Sequence, residues 1–190
     1  MFSGMLRGDK MKKIFDEVPH LVGENITIKR ITQQDAAALS EMVNDKDVYR
    51  YLPTFLFEQK YDDINYVIKQ MYDECFANKE SVFMGIYQNG GGEFCGIAEF
   101  YGFKDDIHKV SIGCRLLKKY WGKGIVSQTV SLLIDYLDNQ TDIEIIAASS
   151  MPGNRASAKV LEKSGFSLVA RDSWEVWGLD TTEKVDKWIR

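Results

Sequence analysis

Cysteine and histidine are scarce in this chain, with three of the first and two of the second among 190 residues. Cys75, Cys95 and Cys114 are widely spaced and odd in number, which argues against a disulfide framework or a C-x-x-C metal site. They read as small buried apolar residues of a protein kept in a reducing cytoplasm. His20 and His108 form no H-x-x-x-H pair, so no metal is expected. Positive charge is short too: the net charge is −4, whereas a nucleic-acid binder normally carries a basic face. No apolar run approaches the about 20 residues that cross a bilayer, so neither nucleic acid nor membrane is expected as a partner. The opening MFSGMLRGDKMKKIF has no long apolar core and no small-residue cleavage site, so no secretory signal is expected; Met11 offers an alternative start.

What is present is ordinary globular composition. Hydrophobic residues make up 45% and charged residues 27%, enough for one domain with a sizeable core. An N-terminal extension over 1–20 and a single domain over 21–190 are expected. NITIKRIT (25–32) alternates apolar and polar residues as a half-buried strand does, and Thr32 and Asp35 suit the start of a helix over AAALSEMV. Ile64, Val67, Ile68, Met71, Tyr72 and Cys75 fall at helical spacing. SVFMGIY, FCGIAEFYGF and KVSIGCRLL read as three strands of an antiparallel meander, with the glycines of QNGGGE at the first turn. A helix from Val126, a strand over 142–149 parallel to its neighbour, a helix over NRASAKVLEKSGF and the last strands in SLVARDSWEVW complete a mixed α+β reading.

Chemistry concentrates where KVSIGCRLL hands over to the following helix. Gly122 and Gly124 in WGKG bare the backbone at a helix N-terminus, and Lys118, Lys119 and Lys123 add positive charge. Free amides and the positive end of a helix dipole attract anions, phosphate above all. The pattern is neither a P-loop nor a Rossmann loop, because G-x-x-x-x-G-K-[ST] is absent and Ser127 stands where a third glycine would be. A phosphate cradle and a tight turn with solvated lysines both fit these residues. SSMPGNRASAKVLEKSGF places a second helix N-terminus after the next strand, with Asn154 as its cap.

Taken together, YWGKGIVSQTVSLLIDYL and PGNRASAKVLEKSGF, each following a strand, resemble the GNAT acyl-CoA N-acyltransferase superfamily, with the RimJ/RimL-like protein N-acetyltransferases the nearest group. The likeness extends to ITIKRITQQDAAAL and DVYRYLP. It implies a mostly antiparallel sheet with a parallel pair splayed at the cofactor site, and acetyl-CoA as cosubstrate. Trp121, Gly122, Lys123, Gly124, Ile125, Val126 and Ser127 map onto the pyrophosphate loop, with Val126 bulkier than the usual glycine or alanine. Backbone groups of Leu116 and Leu117 would pair with pantetheine, Asn154 would reach the same arm, and Lys159 would sit near the cofactor's far side. Transfer would be direct, without an acyl-enzyme.

The group's frequent tyrosine acid is missing from NRASAKVLEKSGF. The resemblance therefore points to Ser157 for protonating the leaving thiolate, with helix capping as its other role. Glu99 and Glu175 are the two candidates for general base, the latter set between Trp174 and Trp177. The acceptor side combines Tyr49, Tyr51, Phe55, Phe57, Trp174 and Trp177 with Glu58, Asp62, Asp63, Glu175 and Asp180. That lining suits a cationic amine, either a peptide or protein N-terminus or a small amine such as a polyamine, antibiotic or amino-acid metabolite. A non-catalytic acyl-CoA-binding module is the alternative to an enzyme. A monomer or a homodimer fits equally.

Overall fold

The computed structural model describes residues 14–51, 58, 60–178 and 181–190, with the side chains of Tyr49, Trp177 and Thr181 left out. Phe55, Phe57 and Asp180 of the expected acceptor lining lie outside the described residues, as does Met11.

Eight strands form one sheet in the order β1-β2-β3-β4-β5-β6-β8-β7. β1 (Leu21–Val22) and β2 (Ile26–Arg30) lead into α1 (Ala36–Asn44) and α2 (Lys46–Tyr49). The Thr32 amide donates to Asp35 Oδ2 at 2.8 Å, which closes the entry to this helical segment as expected from the two residues. The next helical run is interrupted: α3 (Ile64–Tyr66) passes through a π turn at Val67–Met71 before α4 (Tyr72–Ala77). The expected meander follows in β3 (Ser81–Gln88), β4 (Phe94–Lys104) and β5 (Lys109–Leu116), antiparallel throughout. α5 (Ile125–Gln140) carries the chain to β6 (Ile145–Ser150), the parallel neighbour of β5.

The end of the chain is more extended than the sequence reading. After α6 (Arg155–Lys163), β7 (Ser167–Gly178) is one long strand, and β8 (Thr181–Ile189) returns along it. β8 inserts between β6 and β7, leaving β7 at the edge. Its charged residues mask the two anchors it buries, Val185 and Trp188.

Alternation along the strands sends side chains to two helix layers. Phe100 of β4 stacks on Tyr136 of α5, with ring centroids 6.0 Å apart. Its neighbour Glu99 is the register partner of Phe83, which stacks on Tyr72 of α4 at 4.4 Å. Glu99 therefore lies on the α4 face. The last part of the expected extension joins the core: Ile14 is buried, and the Phe15 ring lies 4.6 Å from that of Phe103.

Candidate active site

The parallel ladder between β5 and β6 is short. It pairs Lys109 with Ile145, Val110 with Ile146 and Ser111 with Ala147, then stops. Beyond it, Ile112–Leu116 stay paired with β4, while Ala148–Ser150 follow β8. A gap thus opens within the sheet toward the C-terminal ends of both strands. Backbone direction along β5 follows from two bonds on opposite edges. The Leu117 amide donates to Cys95 O on the β4 side, and the His108 carbonyl accepts from Ile145 on the β6 side. Alternation then places the Ile112 amide on the last rung, opposite the Ala147 carbonyl, and turns the amides of Cys114 and Leu116 toward the gap, with the Leu116 carbonyl taken by the Trp121 indole.

The two helix N-termini singled out in the sequence flank this gap, because each follows one strand of the parallel pair. At the end of β5, residues Lys118–Tyr120 make a short 3-10 turn, and α5 begins at Ile125 with Gly124 as its N-cap. Gly122 and Gly124 have φ of 72° and 76°, and a Cβ at either would meet nothing within 4 Å. A side chain at either is strained by the positive φ and would project into open space. The first amide bonded back into α5 is that of Gln128, so Ile125, Val126 and Ser127 present orphan N–H groups. Ile125 is buried and Val126 packs against the core, which sends their side chains inward and leaves only backbone toward the cradle. The first turn of α5 contains no acidic residue to compete for those amides.

The lysines divide. Lys118 is paired with Asp47 and Lys119 with Glu41, carboxylates brought from α2 and α1 that no local reading of WGKG anticipates. Lys123 forms no ion pair among the described residues and stands 5.3 Å from the Tyr120 ring centroid. Trp121 is 46% exposed, yet its indole N–H donates to the Leu116 carbonyl at 3.0 Å, tying the loop to the end of β5. Leu117 differs from its expected role: its amide goes to Cys95 and its carbonyl receives Tyr120. Of the expected pair, Leu116 alone keeps an amide facing the gap.

At the second helix, Asn154 Oδ1 accepts from the Ser157 amide at 3.2 Å. The cap is thus made by the Asn154 side chain and the Ser157 backbone. The Ser157 hydroxyl takes no part in it, and among the described residues it has no hydrogen-bond partner. Lys159 is exposed on the same helix.

The two candidate bases sit in different surroundings. Of the two tryptophans expected around Glu175, Trp174 is 67% exposed, and the carboxylate pairs with Lys187 at 2.7 Å. Glu99 Oε2 accepts from Arg115 Nη1 at 3.3 Å. Burial raises the Glu99 carboxyl above the ordinary range; Arg115 opposes the rise and Glu58 adds to it. Glu58, expected in the acceptor lining, is buried and receives both Tyr72 and Arg115. Sequence reasoning passed over Arg115 and Tyr72, whose types in a strand and a helix carry no local signal. Desolvation pushes the Cys75 and Cys114 thiols up to about 12, which leaves them poor nucleophiles. Among the described residues, no group of three or more metal-ligating side chains occurs and no helix is long and apolar enough to cross a membrane.

Comparison with known proteins gives the family and the fold. The profile of the acetyltransferase (GNAT) domain matches residues 25–167. The putative ribosomal N-acetyltransferase YdaF of Bacillus subtilis (strain 168) is 26% identical over 162 residues, covering 83% of this chain and 87% of the relative. RimL, a ribosomal L7/L12 α-N-protein acetyltransferase solved with coenzyme A, superposes with a TM-score of 0.74 at 19% identity, covering 91% of this chain and 96% of that one. Spermidine N-acetyltransferase from Vibrio cholerae, solved with CoA and spermine, gives a TM-score of 0.72 at 13% identity, covering 88% and 96%.

Proposed function

The chain belongs to the GNAT acetyltransferase family, and on that premise we propose that it acetylates the α-amine of a peptide or protein N-terminus. Acetyl-CoA-dependent N-acetylation is the family's activity; the acceptor is the proposed part. The observation that carries the reading is the opening of the sheet after Ser111, with the orphan amides of α5 at its end. That cradle fits a diphosphate: three free N–H groups, two positions without side chains, and Lys123 nearby.

Acetyl-CoA supplies an activated acyl carbon that an amine attacks with release of the thiol. In this reading the amides of Gly122 to Ser127 hold the diphosphate and the gap edge of β5 takes the pantetheine arm. The Leu116 N–H polarises the thioester carbonyl. Glu99 accepts one proton from the ammonium, which frees the nitrogen lone pair. The second proton lost from nitrogen balances the leaving thiolate, delivered through the Ser157 hydroxyl or a water. Lys159 and Asn154 lie on the helix that borders the arm.

The ribosomal-protein acetyltransferases among the relatives and fold neighbours favour an N-terminal α-amine. The spermidine enzyme among the neighbours keeps a polyamine as the second reading. Calorimetry with acetyl-CoA tests the cofactor half. Wild-type protein should bind with a Kd in the micromolar range, and Gly124→Glu, which adds a charge and a strained φ at the cradle, should abolish binding while the fold persists. Unchanged affinity in that variant sinks the cradle. Turnover of short peptides with free or blocked N-termini, beside spermidine and aminoglycosides, tests the acceptor half. Activity confined to the small amines defeats the N-terminal reading.

A further inference from the structure

Arg115 lies one residue before the end of β5, in the stretch that has left β6. Its guanidinium spans two carboxylates, with Nη2 at 3.2 Å from Glu58 Oε1 and Nη1 at 3.3 Å from Glu99 Oε2. The Tyr72 hydroxyl donates to the same Glu58 oxygen at 2.5 Å. The side chains are poorly exposed: 2% for Glu58, 12% for Arg115 and 18% for Glu99. Tyr72 is the first residue after the π turn, a feature that re-phases the helix and recurs at functional sites. Four separate parts of the chain therefore converge on one buried ionic cluster.

Such a cluster is a poor stability device, since well-packed apolar residues commonly serve as well or better. Its charge count is more informative. Two carboxylates share one guanidinium, which leaves one negative charge uncompensated among the described residues. Glu58 is the inner member, fixed by Tyr72 and Arg115 together. Glu99 is the member on β4, facing β5. Its register partner on β5 is Gly113, whose φ is outside the left-handed region. A Cβ on Gly113 would lie 3.4 Å from Tyr101 Cε1 and 4.0 Å from Glu99 Oε2, both ordinary contacts. Neither backbone nor packing demands glycine here, and its effect is to leave space beside the Glu99 carboxylate. Among the described residues, the other charged groups near this face do not cancel the surplus: Lys187 is taken by Glu175 at 2.7 Å, and Lys109 faces Lys104, Lys187 and Glu175.

We propose that Arg115, held by Glu58 and Tyr72, is a positioning residue that fixes the Glu99 carboxylate beside Gly113, where the surplus negative charge receives the acceptor as an ammonium ion. On docking, one N–H bond breaks, the proton moves to a Glu99 oxygen, and the nitrogen keeps the lone pair. The inference rests on the reading of Glu99 as the proton acceptor in the proposed function.

Glu58→Gln is the discriminating variant, because it removes the surplus charge with little change of shape and from a position that cannot touch the acceptor. Steady-state kinetics of the full chain use acetyl-CoA with two probes, spermidine and a hexapeptide with a free N-terminal alanine. Expected is a rise of about tenfold in acceptor KM, as for a partly screened unit charge lost a few ångströms away, with acetyl-CoA affinity by calorimetry unchanged. The limb of kcat/KM that reports Glu99 should also move to lower pH, since the Glu58 charge no longer raises that carboxyl. An unchanged KM and an unmoved limb overturn the inference, whatever happens to the Tm. If Glu58→Gln does not fold, Gly113→Ala takes its place: acceptor KM should rise with Tm and acetyl-CoA affinity kept, and an unaltered KM overturns the inference. Wild-type protein that binds acetyl-CoA but turns over neither cation also overturns it, leaving the cofactor half intact. Wild-type protein that fails to bind acetyl-CoA overturns the proposed function itself.

Discussion

Glu99 is held between opposing influences, and its titration carries a stability consequence. Burial raises its carboxyl in the folded protein, Arg115 only partly offsets this, and the unfolded chain restores the ordinary value. Between those two values the folded state binds the extra proton, so Glu99 favours folding in acid and this contribution is lost as pH rises through the raised folded value. Glu99→Gln cannot lose it. The stability difference between variant and wild type should therefore move in the variant's favour as pH is taken upward from about 4.5, the ordinary Glu range. Urea titrations at a series of pH values measure this, and a difference independent of pH would contradict the assignment. Activity should respond in the opposite sense. Wild-type kcat/KM should rise as Glu99 deprotonates, while Glu99→Gln should be slow and lack that limb.

Elements show why some of the site was legible beforehand and some was not. The meander, α5 and the parallel return to β6 were readable because apolar period and turn glycines are local signals. The two helix starts were readable for the same reason, since Gly122, Gly124 and Asn154 act within a few residues of themselves. The π turn adds one residue to a helix whose apolar spacing is otherwise ordinary, and nothing in its composition announces it. β8 hides Val185 and Trp188 among charges. The contact of Arg115 with Glu58 joins positions 57 apart, beyond the reach of any spacing argument. One sequence-level question does resolve at this scale: the cap of α6 and the candidate acid are different groups. Asn154→Ala should cost about 1 kcal/mol by denaturant unfolding, and Asn154→Asp should restore it. Ser157→Ala leaves the cap intact, because the capping donor is its backbone. It should lower kcat about tenfold or more while stability and acetyl-CoA affinity hold. Loss of stability with normal kcat would remove Ser157 from the reaction.

At the scale of the whole molecule, the site is a consequence of how the sheet parts. β5 is shared between two halves: its odd-numbered residues beyond Ser111 bond to β4, while Cys114 and Leu116 turn their amides to a neighbour that has moved away. Unpaired backbone inside a sheet has to be satisfied by water or by a ligand. An extended arm laid along β5 would act as the missing strand, with its terminal charge on the orphan amides of α5. Hydrogen exchange of the full chain with and without acetyl-CoA tests this directly. Exchange should slow at Cys114 and Leu116 and across Gly122–Ser127, while Gly113 and Arg115, already bonded to β4, and Ile112, already paired with Ala147, should change little. Ligand at about 100 times Kd should also stabilise the fold by about 2.7 kcal/mol, seen as a rise in Tm. If protection is instead uniform over the sheet, or absent from Cys114 and Leu116, the gap is not where the arm lies, and the binding site must be sought on another face.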